Sequence, residues 1–179
     1  MVGELRYFAY GTLQKEFPNW HDLADRLGDP IGRFRTVAPH AVVVPIQAGC
    51  WNPGCRLLHR IAALVPGVEG FHVDGDVFAI DPSALAAIDR LEDYDEDRQP
   101  PGLYLRTHLQ VRSLAEPTVH EAIAYCVRDP APWLALVSNG RAELLSCYER
   151  RFADATPKAC CLRNPGHAGP HDVLDPFAP

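Results

Sequence analysis

Val73-Asp74-Gly75-Asp76-Val77-Phe78-Ala79-Ile80-Asp81-Pro82-Ser83-Ala84-Leu85-Ala86-Ala87-Ile88-Asp89-Arg90-Leu91-Glu92 changes its hydrophobic period partway along. Val73 to Ile80 alternates well enough for a strand. Asp81 then supplies an N-cap and Pro82 an N1 proline, so the spacing predicts a helix over about residues 82–92. Upstream, Leu5 to Ala9 is a short apolar and aromatic run that stops at Tyr10-Gly11-Thr12-Leu13, a strand entering a glycine turn. Asn19 can cap a short helix to about Leu27, Phe34 to Val44 reads as strand broken at Pro39, and residues 45–70 read as irregular. Downstream, Asp93 to Gly102 is an acidic loop closed by Pro and Gly, and Tyr104 to Val111 and Val119 to Val127 are two further strands. Trp133 to about Phe152 carries a helical pattern through Leu134, Val137, Leu144, Leu145 and Tyr148, interrupted at Gly140. About five strands and three helices without regular β-α alternation predict an α+β domain whose mainly non-parallel sheet can close into a barrel.

The 179 residues suffice for one domain with its own core, expected over residues 1–152, and the Pro, Gly and Ala content from Ala153 onward reads as a tail over 153–179. There is no internal repeat. A net charge of -6 without a run of Lys or Arg argues against phosphate-backbone binding, so nucleic acid is not an expected partner. No stretch is apolar for the ~18 to 20 residues of a membrane span, and Met1 to Arg6 lacks a signal-peptide apolar region, so a cytoplasmic location away from membranes is expected. Lys15 and Lys158 are the only two lysines against fifteen arginines, a skew that suggests a GC-rich bacterial genome.

Six acids lie between Asp89 and Asp97, and a helical wheel separates them. With Leu85 at zero, Ile88 falls at about -60°, Ala84 at about -100° and Leu91 at about -120°, which defines the expected buried stripe. Glu92 falls at about -20°, beside that stripe, whereas Asp89 lies at about +40° and Asp93 at about +80°. A carboxylate so aimed loses water and sits near like charges, and both effects raise its pKa toward the range of acid-base catalysis. The alternative is that the helix frays before Glu92 and the whole acidic run is a solvated face.

Tyr10-Gly11-Thr12-Leu13 places a glycine directly after an apolar strand, where successive N–H groups can converge on a carboxylate or phosphate; a plain turn gives the same sequence. Together, Tyr-Gly-Thr-Leu-Gln at residues 10–14, the glycine-bearing strand Gly75-Asp76-Val77-Phe78, the helix end Ile88-Asp89-Arg90-Leu91-Glu92 and the strand Tyr104-Leu105-Arg106 resemble the γ-glutamylcyclotransferase-like superfamily. The branch most similar is that of γ-glutamylamine cyclotransferases and AIG2-like proteins. The resemblance runs over about residues 5–127. The chain departs from the family pattern at Asp93, where many members carry Gly, in a Cys-bearing insertion at about 47–69, and in the tail.

The resemblance implies a small mixed, mainly antiparallel β-barrel with peripheral helices, in which the glycine turn (Tyr10, Gly11, Thr12, Leu13) binds the glutamyl end of a small γ-glutamyl substrate and Glu92 serves as the acid-base residue. It implies no cofactor. The reaction would be intramolecular attack of the α-amine on the side-chain amide, releasing 5-oxoproline and a free amine. Such an enzyme needs to hold the curled conformer and to carry a proton from the attacking to the leaving nitrogen. Tyr104 is either a binding residue or a core aromatic, and Arg106 either a partner for the nearby acids or a substrate ligand. A non-catalytic domain that binds γ-glutamyl or amino-acid ligands is the alternative function. Cys50-x4-Cys55 and Cys160-Cys161-x5-His167-x3-His171 supply ligand types that zinc accepts, although neither cysteine pair has Cys-x2-Cys spacing and unligated thiols are the simpler reading. No Gly-x-Ser-x-Gly or His-Glu-x-x-His signature of a hydrolase occurs.

Overall fold

The computed structural model describes residues 5–45, 62–92, 94–97 and 102–148. Within them the chain runs β1 (Leu5–Ala9), α1 (Pro18–Leu27), β2 (Gly32–Thr36), β3 (His40–Pro45), β4 (Ala63–Pro66), β5 (Asp74–Ile80), α2 (Pro82–Leu91), β6 (Tyr104–Ser113), β7 (Val119–Val127), α3 (Pro130–Ser138) and β8 (Ala142–Leu145). The strands form one sheet in the order β1-β5-β2-β6-β7-β4-β3-β8. A parallel contact of Tyr7 with Ile123 also joins β1 to β7. The run β1-β5-β2-β6-β7 therefore closes into a five-stranded barrel, antiparallel at every seam except that last one. β4, β3 and β8 extend the sheet beyond β7. This is the mixed, mainly antiparallel barrel with peripheral helices that the family resemblance implies.

Alternation along the strands sorts the core into two clusters. Phe8, Phe34, Val77, Val111 and Ala124, one from each barrel strand, meet inside the barrel. Tyr7, Phe78, Tyr104 and Tyr125 point the other way and pack with Leu27 of α1, Ile88 of α2 and Trp133 of α3, so the helices cover the outer wall. Every buried side chain of both clusters contributes through apolar area removed from water, at about 25 cal/mol per Å². At the β1–β5 seam the backbones approach so closely that a Cβ on Gly75 would overlap the Ala9 carbonyl oxygen and stand 2.7 Å from the Phe8 ring.

β5 passes into α2 as the sequence predicts: the Asp81 carboxylate accepts from the N–H groups of Ser83 and Ala84, and Pro82 opens the helix. Other expectations need correction. The helix that Asn19 was expected to cap has Phe17 at its N-cap, because Pro18 takes the first helical position and the Asn19 amide donates instead to Thr12 Oγ1 at 2.7 Å. β4 lies within the stretch expected to be irregular, where Ala63-Leu64-Val65 is too short to show a period. The long C-terminal helix stops at Ser138, since Gly140 adopts φ 66° and turns the chain. Leu144 and Leu145, read as helical, instead pair with Val43 and Val42 of β3. On α2 the buried positions are Ala84, Ala87 and Ile88, while Leu91 is 43% exposed where the helix runs off the wall. The expected insertion beyond β3 and the tail fall largely outside the described residues. No helix among the described residues is long and apolar enough to cross a membrane.

Candidate active site

The turn after β1 is held from its carbonyl side. Gln14, 1% exposed, donates through Nε2 to the carbonyls of Tyr10 and Gly11 at 3.0 and 3.2 Å. The N–H groups of Asn19 and Trp20, at the start of α1, both donate to the Thr12 carbonyl. In a trans peptide the C=O of one residue and the N–H of the next point in opposite directions. Anchoring the carbonyls of residues 10, 11 and 12 therefore turns the N–H groups of Gly11, Thr12 and Leu13 the other way, and none of the three meets an acceptor among the described residues. Gln14 is fixed in turn by Arg33, whose guanidinium donates to Gln14 Oε1 at 2.6 Å and to Asp76 Oδ1 at 3.2 Å. Asp76 also accepts from the Lys15 N–H at 2.8 Å, closing a brace between β2, β5 and the turn. Gly11 does not need a positive φ. Its constraint is space, because a Cβ there would lie 3.1 Å from Ala62 Cβ.

Glu92 is the C-cap of α2, with its N–H bonded to the Ile88 carbonyl at 2.9 Å. The helix thus persists to Glu92, and the frayed, solvated alternative does not hold there. Burial pushes the Glu92 carboxyl up to about 7, and no hydrogen bond to the carboxyl offsets this among the described residues. The neighbouring acids expected to raise it further do not, because they are engaged or exposed. Asp89 accepts from Tyr125 Oη at 2.5 Å and from Arg106 at 2.8 Å, while Asp95 and Asp97 lie in the exposed loop beyond. Asp93 falls outside the described residues.

Four tyrosines surround this carboxyl, and each feels its charge: Tyr7 from β1, Tyr10 at its end, Tyr104 opening β6 and Tyr125 on β7. Burial holds all four phenols well above their ordinary range, so they are neutral hydroxyls. Tyr10 donates to the Tyr125 carbonyl at 2.7 Å, and so shapes the wall with its hydroxyl already committed. Tyr125 packs edge-on against Tyr7 and Tyr94, with ring centres 6.1 and 6.0 Å apart. Arg106 lies 4.9 Å over the Tyr94 ring and pairs with Asp89, so of its two expected roles it has the structural one. Tyr104 is buried in the outer-wall cluster and near Glu92 at once, which makes its two readings compatible.

Glu92, the turn and Tyr104, all singled out in the sequence, thus lie around one wall of the barrel. Tyr7, Tyr125, Asp76 and Arg33 were not singled out. The signal for Tyr7 and Tyr125 was only strand alternation, which placed them opposite Phe8 and Ala124 without revealing that their side faces the end of α2. The zinc ligands considered, Cys50, Cys55, Cys160, Cys161, His167 and His171, lie outside the described residues. Of the described cysteines, Cys126 is buried with its thiol pushed up to about 12, which suits no nucleophile.

On a barrel with helices on its outer wall, a desolvated carboxyl at the end of α2 and a turn with three outward N–H groups form an arrangement that suits a small molecule carrying an anionic group. The family described as gamma-glutamyl cyclotransferase, AIG2-like, matches residues 7–142. The gamma-glutamylaminecyclotransferase B of Danio rerio is 30% identical over 162 residues, covering 83% of this chain and 76% of the fish protein. A Drosophila melanogaster protein provisionally named a gamma-glutamylcyclotransferase is 33% identical over 94 residues, 51% of this chain and 54% of its own length. The crystal structure of an AIG2-like protein from Mus musculus superposes with a TM-score of 0.60 at 25% identity, covering 87% of this chain and 92% of the mouse chain. The chain belongs to the AIG2-like gamma-glutamyl cyclotransferase family.

Proposed function

We propose that the chain releases 5-oxoproline and a free amine from a γ-glutamyl amine, with Glu92 carrying the proton between the two nitrogens. The observation that carries the reading is the Glu92 carboxyl, without a hydrogen-bond partner among the described residues and pushed up to about 7 by burial, beside a turn with three uncommitted N–H groups. A group that titrates near neutrality is suited both to take a proton and to return it.

The substrate's α-carboxylate docks on the N–H groups of Gly11, Thr12 and Leu13, where the amides form a cradle for an anion. That anchor, with the walls of Tyr10 and Tyr104, holds the glutamyl chain curled, so that its neutral α-amino nitrogen stands against the side-chain carbonyl carbon. Attack forms the C–N bond of the five-membered ring and moves an electron pair onto the carbonyl oxygen. The Glu92 carboxylate takes the proton released by the attacking nitrogen. As the carbonyl re-forms, the bond to the original amide nitrogen breaks, and Glu92 gives its proton to the departing amine. Glu92 is thus returned to its starting form, and no water is consumed.

The zebrafish relative's name refers to γ-glutamyl amines, and that substrate class is the one proposed here. The test is a screen of γ-glutamyl amines, γ-glutamyl amino acids and glutathione for 5-oxoproline release by the wild-type chain. Turnover of the amines above the other two classes is the expected result. Tight binding without turnover of any of them would replace the enzyme with a ligand-binding domain.

A further inference from the structure

Of the four hydroxyls around Glu92, two are committed to protein partners: Tyr10 donates to the Tyr125 carbonyl, and Tyr125 to Asp89. The other two belong to Tyr7 and Tyr104, which are 2% and 9% exposed yet have no hydrogen-bond partner among the described residues. Neither oxygen is among the fully sealed, unpartnered polar atoms of the described residues. The reading above gives Tyr104 a share in holding the glutamyl chain. It leaves the Tyr7 hydroxyl without a function.

The position of Tyr7 is not incidental. Register places it between Phe78 of β5 and Ile123 of β7, on the face that meets the helices. Its ring stands edge-on to Tyr125, whose hydroxyl is bonded to Asp89, one helical turn before Glu92. The field of the Glu92 carboxylate is the largest charge acting on it. Phenylalanine would fill the same space without leaving a buried polar group unpaired, a state that costs about 1–3 kcal/mol when complete. An unpaired hydroxyl beside a proton carrier is what a site waiting for a polar ligand atom requires.

We propose that Tyr7 is a further catalytic residue, its hydroxyl donating a hydrogen bond to the oxygen of the reacting carbonyl as negative charge develops there. The inference rests on the cyclotransferase reading. Glu92 must reach both nitrogens attached to the carbon under attack, and the remaining polar atom on that carbon is the oxygen. The turn's N–H groups are occupied by the α-carboxylate, so the oxyanion needs a separate donor. A neutral phenol supplies one. The hydrogen bond strengthens as the carbonyl oxygen gains charge, so its loss acts on the chemical step more than on substrate binding.

The experiment is steady-state kinetics of Tyr7→Phe against wild type, in the full chain, on the γ-glutamyl amine that wild type turns over best, with thermal melting of both proteins. We expect kcat to fall about 100-fold or more while KM stays within about threefold, as for a lost oxyanion donor, and the melting temperature to hold or rise. Unchanged kcat, or a rise in KM alone, in a variant that melts normally would overturn the inference and leave the cyclotransferase reading standing. Failure of wild type to turn over any γ-glutamyl compound would overturn both.

Discussion

Replacing Glu92 by Gln makes a stability prediction that is independent of any substrate. The carboxyl has an ordinary value of 4.5 and is pushed up to about 7 in the folded chain. Between those two values the folded state binds more protons than the unfolded state, so the group's contribution to stability is fully present below pH 4.5 and is lost as the pH rises through about 7. At about 1.4 kcal/mol per pH unit, the gap from 4.5 to about 7 amounts to about 3 kcal/mol once the group is fully ionised. About 2.5 kcal/mol of this falls between about pH 5 and about pH 8.5. Glutamine keeps the shape and removes the titration. The variant should therefore gain on wild type by about 2.5 kcal/mol over that interval, a relative shift of about 1 M in the urea midpoint for a slope of about 2.5 kcal/mol per M. His40, held below its ordinary value by burial, also makes stability depend on pH, but it is present in both proteins and cancels in the difference. Urea titrations of both proteins at the two pH values read the effect directly. A wild-type-to-variant difference that does not change with pH would refute a desolvated Glu92 and the catalytic argument built on it.

Gly75→Ala should cost at least about 3 kcal/mol, because the added methyl meets the Ala9 backbone and the Phe8 ring rather than a flexible side chain; a melting curve near that of wild type would mean the β1–β5 seam is looser than described. Gly11→Val should weaken calorimetric affinity for a γ-glutamyl ligand about tenfold or more, the scale of one lost charge-assisted hydrogen bond, since the side chain presses on Ala62 and displaces the N–H groups. Unchanged affinity would reduce the turn to a connection. Asp89→Asn should destabilise by about 2 kcal/mol, because Arg106 loses its ion pair while both groups stay partly buried, and a neutral result in urea titration would show the pair to be idle.

Much of this arrangement is legible in the sequence, for local reasons. β1, β5, α2 and β7 announce themselves because each has its own signal: an apolar run stopped by Gly11, an alternating stretch, a capping Asp81 followed by Pro82, and a long β-branched and aromatic segment. Glu92 stands out by its angle to Ile88 and Ala84, and the structure gives that angle its chemical effect through burial. What stays hidden depends on partners distant in sequence. β8 looks like a continuation of α3 because leucines at 144 and 145 satisfy a helical period, and only the pairing with β3 makes them a strand. Asp76 and Arg33 look like ordinary surface charges, since nothing in their own neighbourhoods shows that they converge on Gln14. Tyr7 is the same kind of case, as its meaning comes from α2 (Pro82–Leu91) crossing the barrel wall much later in the chain.

The most direct test of the account compares wild type, Glu92→Gln and Asp97→Asn for 5-oxoproline release from a γ-glutamyl amine at saturating substrate, with ligand affinity measured on the same preparations. Loss of about 10² or more in turnover for Glu92→Gln, the scale of a missing acid-base group, with affinity retained and with Asp97→Asn within about tenfold of wild type, is the predicted result. Near-normal turnover in Glu92→Gln, or equal losses in both variants, would contradict the assignment of Glu92 as the proton carrier.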